Sequence, residues 1–199
     1  MDEQKLYQVA LSLIPGVGNL LTKNLISYCG SAKAVFSAPK SKLSKIPGIG
    51  PKTAESIIQN RFLQQAEKEL AAAEKHDAQI LAYTDKEYPY RLKQVPDAPT
   101  ILFYKGNSAP DSAKTVAIVG TRQATPYGKQ LCEQIVAELL PYQPLIISGL
   151  AYGIDIIAHR AALRNGLPTL GVMASGLDIV YTLRRIRILR RKCLSRVGC

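Results

Sequence analysis

Two short apolar segments that each run straight into a glycine turn constrain this chain more than any other feature. The first is Val116-Ala-Ile-Val-Gly-Thr-Arg122. The second, Pro144-Leu-Ile-Ile-Ser-Gly-Leu-Ala-Tyr-Gly-Ile-Asp155, follows about one strand-helix unit later. Short apolar runs without polar alternation are strands buried on both faces, the habit of parallel sheets. Between them, apolar residues at 131, 135, 136, 139 and 140 mark one face of an amphipathic helix. The expected order is strand 115–119, helix 127–140, strand 144–148, helix 153–165 and strand 168–173, a doubly wound α/β pattern. Asn165-Gly166 supplies the glycine stop of the second helix. Upstream, Gln79–Tyr83 and Thr100–Tyr104 are short strand candidates, with Pro89, Pro96 and Pro99 marking the turns between them.

Two such strand ends side by side place several backbone N–H groups at one edge of a sheet, which suits a phosphate. Gly120 permits the tight turn, Thr121 can donate a hydroxyl, and Arg122 can reach a phosphate in bidentate fashion. Ser148, Gly149 and Gly153 offer the same beside it, and Lys129 and Arg160 are added on charge and position alone. A plainer reading gives these glycines to turn geometry only. Asp155 and His159 lie four apart on one helix face, but an Asp near a helix start serves the dipole, and a His there can simply hydrogen-bond it. No catalytic residues and no metal-ligand spacing are assigned. The three-glycine dinucleotide fingerprint and the Walker A loop are both absent, so no cofactor is expected.

Residues 1–62 read as helical and contain an echo. Leu13-Ile-Pro-Gly-Val-Gly18 recurs 32 residues later as Lys45-Ile-Pro-Gly-Ile-Gly50, each followed by a helix start. That is the form of a helix-hairpin-helix, whose free N–H groups can hold a nucleic-acid phosphate. Gly16, Gly18, Gly48 and Gly50, with Lys23, Lys45 and Lys52, are candidate contacts; equally, the glycines serve only to pack two tight hairpins. Residues 63–76 are rich in helix formers and polar on most faces, and are expected to form a connecting helix.

The net charge of +11 is uneven. Thr182–Cys199 holds six arginines, one lysine and no acid, and the rest has 19 basic against 15 acidic residues. No run is long enough to span a membrane, and the opening Met1-Asp-Glu-Gln-Lys lacks the order of a signal peptide, so a cytoplasmic protein is expected. Cys29, Cys132, Cys193 and Cys199 have neither zinc spacing nor disulfide density and are expected to be reduced thiols.

The combined motifs resemble one family, DNA processing protein A (DprA/Smf). They are Tyr88-Pro89, Asp97-Ala-Pro99, Leu102, Lys105-Gly106, Val119-Gly-Thr-Arg122, Tyr127-Gly128, Ser148-Gly-Leu-Ala-Tyr-Gly-Ile-Asp155, Ala158-His159, Ala162-Leu163 and Ser175-Gly-Leu-Asp-Ile-Val-Tyr181. The resemblance implies an α/β fold with a Rossmann-like parallel sheet, preceded by a small all-α helix-hairpin-helix (SAM-like) domain. It implies single-stranded DNA binding in a positive pocket, protection of incoming strands in natural transformation, loading of the RecA recombinase, a homodimer, and no enzymatic activity. Carried over by position, it assigns phosphate contacts to Gly120, Thr121, Arg122, Ser148 and Gly149, with Gly153 shaping the second loop.

The expected domains are 1–76, helical; 77–181, a partial Rossmann-like domain incomplete at its C-terminal side; and 182–199, a basic tail. The abrupt change after Tyr181 departs from the family and reads as an out-of-frame segment. On that reading the cut sheet leaves apolar faces uncovered, and DNA binding is weak and solubility poor. The rival reading makes 184–192 a basic arm in which Arg184, Arg185, Arg187, Arg190, Arg191 and Lys192 dominate affinity. Two further alternatives stand: a nucleotide-processing enzyme on a similar fold, lacking its convergent carboxylate or Pro-Gly-Gly-x-Gly-Thr loop here, and duplex binding by the hairpins. Tyr127 and Tyr152 are the nearest candidates for stacking on bases, and core packing explains them equally well.

Overall fold

The repeated Ile-Pro-Gly-apolar-Gly segments build the same backbone twice. In each, an i→i+3 bond closes the turn: Val17 N–H to Ile14 C=O at 3.0 Å, and Ile49 N–H to Ile46 C=O at 3.0 Å. Gly16 and Gly48 take positive φ of 82° and 85°, where a side chain is strained. The four apolar turn residues Ile14, Val17, Ile46 and Ile49 are all buried, so the hairpins are pinned by their aliphatic side chains and the glycines are left outside.

The structure, a computed structural model, describes residues 3–59, 61–106 and 110–176. The chain forms two units, Met1–Phe103 and Tyr104–Cys199. The first unit has helices α1 (Glu3–Ser12), α2 (Asn19–Cys29), α3 (Ala32–Ser37), α4 (Lys40–Leu43), α5 (Pro51–Ile58) and α6 (Arg61–Lys75). Strand β1 (Gln79–Ala82), the short α7 (Tyr90–Lys93) and strand β2 (Ile101–Tyr104) follow, and β1 pairs with β2. Helix α6 is not the bare connector expected over 63–76. Ala66 and Ala73 are buried, and Phe62, Leu63 and Leu70 pack on the same core, a stripe at helical spacing that lies against α1.

The contact-defined boundary therefore falls at 103/104, whereas the change of periodicity lies at 76/77. Side chains from the helices reach the strand segment and bind it. Asn19 donates to the Asp97 carbonyl at 3.1 Å and accepts from Thr100 N–H at 3.1 Å. Lys23 donates to the Pro96 carbonyl at 2.8 Å and stands 5.9 Å from the centre of the Tyr83 ring. Gln8 donates to Thr84 Oγ1 at 2.8 Å. The buried Tyr88 hydroxyl donates to the Pro99 carbonyl at 2.6 Å, which explains why Tyr88 and Pro99 occur together.

In the second unit, strands β3 (Thr115–Ala117), β4 (Leu145–Ser148) and β5 (Thr169–Gly171) are parallel in the order β3-β4-β5. Helices α8 (Pro126–Glu138) and α9 (Ile154–Arg164) connect them, with a 3-10 turn over Leu140–Tyr142. Val116 pairs with Ile146, and Ile147 with Leu170. Strands stepping in one direction through right-handed crossovers put both helices on one face. There Ala158, Ala161 and Ala162 of α9 share a core with Cys132, Val136 and Ile146. Ion pairing of Arg164 with Glu133 at 2.8 Å joins the two helices at the surface and holds the Glu133 carboxyl below its ordinary pKa. Thr125 caps α8 by accepting from Gly128 N–H at 3.1 Å, with Pro126 in the first turn. Helix α9 ends at the expected glycine: Leu167 N–H bonds the Ala162 carbonyl at 2.9 Å around Gly166 at φ 71°. Val116 and Ile118 face the helices, so Val119 projects from the other side of the sheet; it is 75% exposed and Val172 is 59% exposed.

Removing the Asn19 clamp tests the tie between α2 and the 97–100 segment. Asn19→Ala should lower stability by about 1–3 kcal/mol, leaving Thr100 N–H without its partner. Urea unfolding followed by tyrosine fluorescence measures it; an unchanged midpoint would show that the clamp is idle.

Candidate nucleic-acid interface

The carboxyl ends of β3 and β4 lie beside one another, and both loops fold onto the first turn of α9. Thr121 C=O accepts from Ile154 N–H at 3.1 Å, taking one of the free donors at the start of α9. Gly153, at φ 85° and ψ −130°, lies so close to the Thr121 and Arg122 backbone that a Cβ there would collide with it. A Cβ on Gly120 would stand 2.7 Å from the Ile154 side chain, and one on Gly149 would stand 2.5 Å from Asp155 Oδ2. The glycines are therefore needed for the approach of the loops to α9, and that packing produces the shape of the edge.

The expected contacts separate into two groups. Arg122 is exposed, with no hydrogen bond or ion pair among the described residues. Thr121 Oγ1 accepts from Gln123 N–H at 3.1 Å, an arrangement that leaves the hydroxyl proton free to donate. Lys129 is exposed in the first turns of α8, and its charge also acts on Glu133. The Thr121–Arg122 backbone packs against Gly153 at the positive start of α9, and a Cβ on Gly128, in the first turn of α8, would stand 3.9 Å from Ile154 Cδ1. Ser148 does not belong with them: it is 2% exposed and donates to the Ile118 carbonyl at 2.5 Å, bracing β4 against β3. Arg160 is exposed but lies six residues into α9, about 9 Å along its axis from Ile154. Tyr127 and Tyr152 are exposed, so burial in the core does not account for them. The basic tail residues Arg184 to Lys192 lie outside the described residues.

Asp155 and His159 do not bond each other. Asp155 Oδ2 accepts from Ala151 N–H at 3.4 Å. His159 is fully buried, with Nδ1 2.6 Å from Thr169 Oγ1 and Nε2 2.7 Å from the Gly149 carbonyl, so the expected His–Asp hydrogen bond is replaced by these two. Burial pushes the imidazole below its ordinary pKa, against the opposing effects of the Gly149 carbonyl and the Asp155 charge. Nothing in the sequence marked Thr169 as its partner, because the contact joins residues ten apart across α9 and β5. Burial also raises the Cys132 thiol, with Glu133 adding to the effect.

In the first unit the two hairpins differ. Lys23 is held at Pro96 and Tyr83, so the first hairpin is engaged by its own unit. A Cβ on Gly48 would meet Leu21 Cδ2 at 2.6 Å, so this glycine packs the second hairpin on α2. Gly16, Gly18 and Gly50 face open space, and Lys45 and Lys52 are exposed. No group of three or more metal-ligating side chains occurs among the described residues, and none of their helices is long and apolar enough to cross a membrane.

With this geometry in view, comparison with known proteins identifies the family. The family described as DNA recombination-mediator protein A matches residues 79–196, more than half of the chain. The chain belongs to that family. The matched span runs past Tyr181, where the motif-by-motif resemblance ends. The SAM-like helix-hairpin-helix tandem matches residues 9–60, the repeated turns. Protein Smf of Synechocystis sp. is 32% identical over 184 residues, covering 90% of this chain and 46% of the relative. DNA processing protein DprA of Streptococcus pneumoniae is 43% identical over 97 residues, covering 49% and 34%. The X-ray structure of the S. pneumoniae protein matches with a TM-score of 0.70 at 27% identity, over 96% of this chain and 64% of that one. A Helicobacter pylori DNA processing protein A, whose structure is described as showing a unique single-stranded DNA binding mode, matches with a TM-score of 0.50 at 28% identity, over 60% and 54%. The chain spans less than half the length of these curated relatives. These likenesses place the DNA recombination-mediator fold, a Rossmann-like α/β sheet after a helix-hairpin-helix tandem, on firm ground.

Two outcomes follow from the packing. Gly153→Ala should destabilise the second unit by about 1–3 kcal/mol or more, because φ is positive and the Arg122 turn blocks the Cβ; a thermal melt equal to wild type would refute the close approach. The His159 shift gives a pH dependence of known sign. Its folded pKa is depressed below 6.5, so the stability it contributes is full above that value and is lost as pH falls. Between about pH 7.5 and 5.5 the urea midpoint of the wild type should fall further than that of His159→Gln.

Proposed function

We propose that this chain binds the backbone of single-stranded DNA at the β3–β4 edge and acts as a DNA recombination mediator. The observation that carries the reading is the exposed Arg122, without a hydrogen bond or ion pair among the described residues, on a turn whose backbone packs against the start of α9. A cation on a turn beside a positive helix end suits a phosphodiester and does not distinguish bases. The description of the H. pylori relative supports a single strand as the target. Lys129 and Thr121 complete the contact. Loading of RecA, a homodimer and a place in the cytoplasm belong to the same proposal, and it includes no bond-breaking step.

The test is a salt titration of fluorescein-labelled single-stranded and duplex oligonucleotides. It uses the full chain, Arg122→Ala, the pair Lys45→Ala with Lys52→Ala, and a chain ending at Tyr181. Arg122→Ala should weaken single-strand binding about tenfold or more and flatten the log–log salt slope by about one. The lysine pair should change it little. If only the shortened chain loses binding, the affinity belongs to the basic tail; if only the lysine pair does, it belongs to the second hairpin.

A further inference from the structure

The phosphate-edge reading leaves its most buried polar group unused. His159 lies in the second turn of α9, and its ring joins three parts of the unit. Thr169 Oγ1 lies 2.8 Å from the Ile146 carbonyl, linking β5 to β4, and 2.6 Å from His159 Nδ1, to which its one hydroxyl proton is donated when the ring is neutral. At the other end of the ring, Nε2 lies 2.7 Å from the Gly149 carbonyl. A carbonyl only accepts, so Nε2 carries a proton in either charge state of the imidazole.

This contact orients one peptide plane. In a trans peptide the C=O of one residue and the N–H of the next point in opposite directions. With the Gly149 carbonyl drawn onto His159, the Leu150 N–H is directed away from it. Leu150 N–H has no hydrogen-bond partner among the described residues. The next residue, Ala151, is held by Asp155 Oδ2 at 3.4 Å. Asp155 also occupies the space a Gly149 Cβ would need. Two side chains of α9 thus suspend the start of the loop, while Gly153 presses its far end on the Thr121–Arg122 backbone.

We propose that His159 is a positioning residue for the phosphate edge: by fixing the Gly149 carbonyl it presents the Leu150 N–H as a backbone donor to the same phosphodiester chain that Arg122 contacts. This rests on the single-strand reading above. The ligand chemistry is a phosphate oxygen, which a neutral N–H can bind without a sequence preference. His159 itself stays buried and touches no DNA. Asp155 serves the same loop through Ala151 N–H, which accounts for its closeness to the Gly149–Ala151 backbone without a catalytic role.

Two substitutions separate positioning from bulk packing. The amide of His159→Gln can donate at the Nε2 position to Gly149, whereas His159→Asn is too short and can reach only toward Thr169. Both variants and His159→Leu are titrated with fluorescein-labelled oligo-dT beside Arg122→Ala, after thermal melts select those that fold. The Leu150 amide resonance is followed in 15N-labelled protein. The expected result is that Gln binds within about threefold of wild type while Asn and any folded Leu variant weaken binding about tenfold. The Leu150 amide should shift on adding oligo-dT in the wild type and Gln variant only. Equal binding by Gln and Asn, or a Leu150 amide unmoved by DNA in the wild type, overturns the proposal. If Arg122→Ala binds as the wild type does, the phosphate-edge reading itself fails, and that result is separate from the Gln–Asn comparison.

Discussion

The candidate edge depends on the close approach of Gly153 to the Thr121–Arg122 backbone, locked by the bond from Ile154 N–H to the Thr121 carbonyl. That approach lets the loop after β3 lie over the start of α9 instead of standing away from it. Gly120 over Ile154 and Gly149 over Asp155 extend the same nesting to both strand ends. Because the loops rest on a helix already packed through Ala158, Ala161 and Ala162, the turn carrying Arg122 gains a rigid floor. A guanidinium on such a floor has less conformational freedom to lose on binding than one on a free loop.

Much of the polar chemistry near the edge maintains this scaffold. Ser148 braces β4 to β3, His159 ties α9 to β5 and to Gly149, and Asp155 holds Ala151. Buried polar groups in a low-dielectric setting are costly unless paired, so each of these has a defined partner. The outward-facing groups include Arg122, Lys129 and the hydroxyl of Thr121. Division of labour between buried struts and exposed cations accounts for a motif so rich in polar residues.

The first unit shows how one sequence repeat can take two roles. Both turns share the buried aliphatic pair and the positive-φ glycine. Asn19 and Lys23 then commit the first helix to the 96–100 segment, while Lys45 and Lys52 leave the second hairpin exposed. Residues outside the repeated motif make the difference. The same tie moves the boundary of the unit to Phe103, well past the change from helical to strand periodicity.

The amino-acid sequence alone determined the order of strands and helices in the second unit, the twin hairpins and the family. Those depend on local periodicity, on turn residues and on a set of motifs whose combination is specific. It also singled out Arg122, because a basic residue just past a strand-end glycine has few structural uses. Only the tertiary structure decided which of the other polar residues face outward. Ser148 and Thr121 look alike as hydroxyls beside glycines, yet one is buried between strands and the other is exposed. Lys23 and Lys52 follow similar turns, yet only Lys23 meets Pro96 and Tyr83, more than fifty residues away. The partners of His159 were hidden for the same reason. Each depends on which distant segment lies opposite, and that is a property of packing between elements that no local pattern encodes.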